Sequence, residues 1–108
     1  MAYKVFLTED ANRDLESLYN YIFEHDSPAK ADYVLDQIEE VLTILENFPE
    51  RGNYPKELAL LGIHEYREVF FKPYRIIYRV IEEAIYVLLI VNGRRDMQTL
   101  LQRRLLNG

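Results

Sequence analysis

Tyr66-Arg67-Glu68-Val69-Phe70-Phe71-Lys72-Pro73-Tyr74-Arg75-Ile76-Ile77-Tyr78-Arg79-Val80-Ile81 decides the fold of this chain. Residues 66 to 71 and 74 to 81 are rich in β-branched and aromatic side chains, which suit a pleated, half-buried surface. Only Lys72-Pro73 separates them, so they read as a tight β-hairpin. A third run, Ile85 to Val91, follows the acidic link Glu82-Glu83-Ala84. Neighbours in sequence then become neighbours in an antiparallel sheet.

A side-chain period of two sorts the middle strand by face. Tyr74, Ile76, Tyr78 and Val80 share one side, and Arg75, Ile77, Arg79 and Ile81 share the other. A guanidinium stays charged at any working pH, and burying it unpaired costs several kcal/mol. The arginine side therefore either meets water or a partner across an apolar floor, or is neutralised by local carboxylates such as Glu68 or Asp96 under the C-terminal segment.

Upstream, Tyr3 to Thr8 alternates as a first strand, with Tyr3, Val5 and Leu7 on one side. Thr8 or Asp10 caps a helix whose Leu15, Leu18, Tyr19 and Ile22 form one apolar stripe, ending near His25-Asp26. Ser27-Pro28 restarts the chain as a second helix, with Ala31, Val34, Leu35, Ile38, Val41, Leu42 and Leu45 at helical spacing before Pro49. So short a link makes the two helices an antiparallel hairpin whose stripes need the sheet's aliphatic face. Residues 50 to 62 read as a turn-rich loop carrying a partial turn or two. After Asn92-Gly93, Asp96 caps a last helix from Met97 to about Leu106, with Arg103 and Arg104 on or beside its exposed side. The expected fold is α+β, in the order β-α-α-β-β-β-α. An antiparallel sheet carries a helical hairpin on one face and a short C-terminal helix, in one domain over residues 1–108.

With no cysteine in the chain, disulfides, thiolate metal sites and a cysteine nucleophile are excluded. The opening residues lack a basic segment followed by an apolar one, and no run reaches membrane-spanning length, so the expected compartment is the cytoplasm. The net charge of −5 argues against a general nucleic-acid binder. Its distribution says more: residues 1–63 hold five Lys/Arg against thirteen Asp/Glu, and residues 64–108 hold eight against five. An acidic half precedes a basic half, which suits an anionic partner for the sheet and tail.

Two histidines, His25 and His64, supply no metal-ligand spacing, and no metal or cofactor is expected. Glu39-Glu40 and Glu82-Glu83 sit where solvated charge is ordinary; a general acid/base pair needs burial to separate its pKa values. What remains is Arg67, Arg75, Arg79, Arg94 and Arg95 beside Tyr66, Tyr74 and Tyr78. Such interleaving binds phosphates and stacked bases, or a carboxylate and an apolar side chain of a protein.

The element order, with Pro-Tyr-Arg-Ile-Ile-Tyr-Arg-Val at 73–80, Asn-Gly-Arg-Arg-Asp-Met at 92–97 and Ala-Asn-Arg-Asp-Leu at 11–15, resembles the RelE/ParE superfamily of type II toxins over nearly the whole chain. The resemblance implies a growth inhibitor neutralised by an antitoxin from the adjoining gene, in a toxin–antitoxin hetero-oligomer. RelE-like members cleave mRNA in the ribosomal A site with basic residues on the sheet and a C-terminal tyrosine or histidine; ParE-like members inhibit DNA gyrase. Of the RelE-like set, Arg75 and Arg95 match. The paired basic positions fall near Tyr66 and Glu68, and the C-terminal tyrosine falls near Leu101. The expectation is therefore a ParE-like inhibitor of gyrase that acts by binding. Its expected surface is Arg67, Arg75, Tyr78, Arg79, Arg94, Arg95, Arg103 and Arg104. The alternatives are a ribosome-dependent mRNA endonuclease, using Arg75, Arg95 and a displaced Tyr66, and an inactive antitoxin-binding relic.

Overall fold

The structure, a computed structural model, describes residues 2–106. Its elements are β1 (Lys4–Leu7), α1 (Glu9–His25), α2 (Pro28–Leu45), α3 (Lys56–Ala59), β2 (Arg67–Phe71), β3 (Tyr74–Ile81), β4 (Ala84–Asn92) and α4 (Met97–Leu101). A wider π-type turn, Gln102–Leu106, continues α4. No helix among the described residues is long and apolar enough to cross a membrane.

The helix starts follow their caps. Thr8 Oγ1 accepts from the Ala11 amide at 3.1 Å, and Ser27 Oγ accepts from the Lys30 amide at 3.0 Å, each pairing a donor that the first turn leaves free. Glu9 and Asp10 in the first turn of α1 suit the positive end of its dipole. At the far end, Asp96 takes the capping role for α4, accepting from the Thr99 amide at 3.2 Å.

The sheet order is β1-β4-β3-β2. β2, β3 and β4 run antiparallel as the two hairpins require, and β1 joins β4 in parallel, with Val5 opposite Ile85 and Leu7 opposite Val87. Between β3 and β4 the register shifts: Ile77 faces Leu89, but Tyr78 faces Val87. Leu88 is therefore an extra residue, a bulge that exchanges the faces of β4 on either side of it.

Each face of the sheet has its own core. On one side the α1–α2 hairpin buries Ala11, Ile22, Ala31, Val34, Ile38, Leu42 and Leu45 against Val69, Ile76, Tyr78, Ile85, Val87 and Ile90. On the other side α3, α4 and the segment before β2 bury Leu58, Tyr66, Ile77, Leu89, Val91, Met97 and Leu101. Each fully buried aliphatic side chain contributes about 2 kcal/mol from area alone. The second core changes the reading of the arginine side, because part of that side lies beneath a lid.

Candidate functional site

Arg75 is internal. Its residue is 8% exposed, and its guanidinium is ringed by two carboxylates. Nη1 and Nη2 donate to the two oxygens of Glu57 on α3, each at 2.8 Å, and Nε donates to Glu68 Oε2 on β2 at 2.8 Å. Nη2 also lies 2.6 Å from Glu68 Oε2. The fork geometry of arginine suits this double engagement. Gly93 completes the enclosure, since a Cβ there would lie 2.8 Å from Arg75 Cδ.

The expectation that both guanidiniums of β3 face outward is corrected for Arg75. It takes the internal alternative with Glu68, while Asp96 is occupied as a helix cap. Glu57, on α3 within the segment read from sequence as a loop, is the second partner. The two carboxylates respond oppositely. The hydrogen bonds from Arg75 hold Glu57 below its ordinary range, whereas burial outweighs the arginine and pushes Glu68 up. The same bonds raise the already high pKa of Arg75.

Tyr78, expected on the binding surface, is fully buried on the helix side. Its hydroxyl donates to the Pro49 carbonyl at 2.8 Å and accepts from the Gly52 amide at 3.0 Å, fixing the chain that leaves α2. At Gly52 an added Cβ would sit 2.6 Å from the Glu68 carbonyl oxygen, so the close approach requires glycine. Tyr78→Phe strands both loop groups in a buried site, and we expect a loss of about 1–3 kcal/mol in urea unfolding. A change below ~0.5 kcal/mol would mean that water replaces the hydroxyl.

Arg67 is likewise a tether. It donates to the Gly52 carbonyl at 2.9 Å and to the Glu50 carbonyl and Tyr54 hydroxyl at 3.2 Å, and it lies over the Tyr54 ring at 4.6 Å. Arg104 binds inward too, through Asp14 and the Leu88 carbonyl. Arg75 and Tyr78 are thus buried, and Arg67 and Arg104 are half-buried, each of the four hydrogen-bonded within the chain.

Arg79, Arg94, Arg95 and Arg103 remain toward solvent, wholly or in part. Arg79 is loosely held, 3.8 Å from Glu65 and 5.8 Å from the ring centre of Tyr66. Arg95 lines a cleft of about 690 Å³ between α1 and the adjoining ends of β3 and β4, with Tyr21, His25, Lys30, Tyr74 and Asn92. Arg94 and Arg95 have no ion-pair partner among the described residues. Arg75 and Arg95, the two matches to a nuclease set, are therefore not in comparable settings. Glu68 lies under the lid, and Leu101, at the expected acid/base position, is 1% exposed in the second core.

Solved toxin structures share this architecture. A chain of the chromosomal ParDE system of P. aeruginosa superposes with a TM-score of 0.70 at 21% identity, covering 84% of this chain and 96% of that one. A mutant of the E. coli toxin RelE in its free state gives 0.67 at 18%, covering 97% and 100%. The M. tuberculosis RelBE2 toxin–antitoxin complex gives 0.61 at 23%, covering 85% and 99%. No curated protein sequence matches the chain. The fold is thus that of the RelE/ParE toxins. Within it, residues 5–97 match the family described as the ParE toxin of the type II toxin–antitoxin system parDE, and the chain belongs to that family.

Proposed function

We propose that this toxin arrests growth by holding a protein target, with DNA gyrase as that target, and does not cut RNA. The observation that carries this reading is the Glu57–Arg75–Glu68 cluster. Cleavage at a 2′-hydroxyl needs a cation free to meet phosphate and a group able to move the proton. Here the central arginine is already met by two carboxylates, and Leu101 offers no titratable atom. The −5 net charge also opposes work on the ribosome, where cationic surface drives association.

The partner in this reading is an antitoxin from the adjoining gene, in the cytoplasm and in a hetero-oligomer. The cleft beside α1 suits an extended stretch of it that carries both apolar and charged groups, since the rings of Tyr21 and Tyr74 line that cleft together with Lys30 and Arg95 and with Asp14 and Asp26. A pulse of expression without antitoxin, followed by separate rates of DNA, RNA and protein synthesis, tests the target. DNA synthesis should fall first, with gyrase cleavage complexes. Immediate arrest of translation with cut A-site codons would instead establish the nuclease alternative.

A further inference from the structure

The lid over the arginine side of the sheet is incomplete. It covers the half of the sheet that contains Arg75, Ile77, Leu89 and Val91. Toward the β3–β4 turn no element among the described residues covers the same face, and a row of side chains crosses it. Phe6 on β1 pairs in register with Tyr86 on β4, and Tyr86 pairs with Arg79 on β3. The Phe6 and Tyr86 rings stack with centroids 5.6 Å apart, and Arg79 lies against Tyr66, just before β2. Phe6 is 46% exposed, Tyr86 36% and neighbouring Ile81 43%. These rings are not satellites of either core: the residues flanking Phe6, Val5 and Leu7, pack toward the helices instead.

We propose that this row, Phe6, Tyr86 and Arg79 backed by Tyr66, is the surface by which the toxin grips its target protein, receiving an apolar segment that carries a carboxylate. The assignment rests on the toxin reading above. Aromatic rings and arginine are the side chains that concentrate binding energy at protein interfaces. Arg79 suits a carboxylate because its present partner, Glu65, is 61% exposed and 3.8 Å away, a weak contact that a better-placed acid displaces. Aromatic rows on sheets also stack bases, but this one is bordered by Glu65, Glu82 and Glu83, with Lys4 as the nearest further cation along the strands. A phosphate backbone brings a charge with every nucleotide and needs several cations, whereas one loosely held arginine suffices for a single carboxylate on an apolar segment, which favours protein over nucleic acid.

The test expresses the full chain carrying Phe6→Ser with Tyr86→Ser, and separately Arg79→Glu, and follows growth, supercoiling by purified gyrase and cell-free translation. All three changes are at partly exposed positions, so the variants should keep their circular dichroism spectrum and melt within a few degrees of the parent. Growth arrest should be lost, and the toxin concentration that halves supercoiling should rise at least tenfold for each variant. Undiminished arrest and supercoiling inhibition by the folded double variant would overturn the assignment. If the parent chain instead blocks translation and the variants relieve that block, gyrase is the wrong target and the row reads RNA. A parent chain that arrests nothing removes the toxic role and this surface with it.

Discussion

Arg75→Ala is expected to destabilise the folded chain by about 3–5 kcal/mol, because it leaves two enclosed carboxylates facing each other without their shared cation. Domains of this size have a net stability of only about 5–15 kcal/mol, so the loss removes a large fraction of that margin. Glu57 and Glu68 approach the guanidinium from α3 and β2. Losing Arg75 therefore releases α3 and frees one edge of the lid. Urea unfolding of the purified variant measures the cost, and a loss below ~1 kcal/mol would show that both carboxylates reach water. Replacing all three groups by apolar ones of similar volume, Arg75→Met with Glu57→Leu and Glu68→Leu, should recover most of the stability, since it removes every charge that needs desolvating. If that triple variant still arrests growth, Arg75 acts through the fold and not through contact with the target.

The alternation along β3 correctly separated the two faces, because a period of two is fixed by backbone geometry. It could not tell what covers a face. Glu57 lies 18 residues before Arg75 on the one-turn helix α3, in a stretch of sequence without periodicity, so nothing local announces the partnership. Glu68 was more legible, being on the adjoining strand and on the same side. The helix hairpin was readable from Thr8, Ser27 and two long apolar stripes, all of which act within a turn of their own residues. In β4 the run Val87-Leu88-Leu89-Ile90-Val91 is apolar throughout, which conceals the extra residue that exchanges its faces. The bare aromatic row needed that register: only the pairing of β1 with β4 brings Phe6 beside Tyr86 and, through it, Arg79.

The bulge at Leu88 makes a second demand, and the chain meets it from both ends. β1 stops at Leu7, so beyond Val87 the outer edge of β4 has no strand beside it. Asp14 on α1 accepts from the Ile90 amide at 3.1 Å, and Arg104 donates to the Leu88 carbonyl at 3.1 Å while pairing with Asp14. One ion pair thus closes the strand edge and pins the turn that follows α4. Removing either partner should cost about 2–3 kcal/mol, in the range for hydrogen bonds to charged groups in partly buried sites. The two losses should differ in place. Asp14→Ala takes away the acceptor of the Ile90 amide, so hydrogen exchange should quicken there first. Arg104→Ala leaves that acceptor but frees the C-terminal turn, so exchange should quicken across residues 97–106, with greater dye binding as Met97, Leu101 and Leu89 become accessible. The double variant should cost less than the sum of the single ones by at least 1 kcal/mol, because the pair shares one interaction. Strict additivity, or unchanged exchange at Ile90 in the Asp14 variant, would mean that the edge is held by something other than this pair.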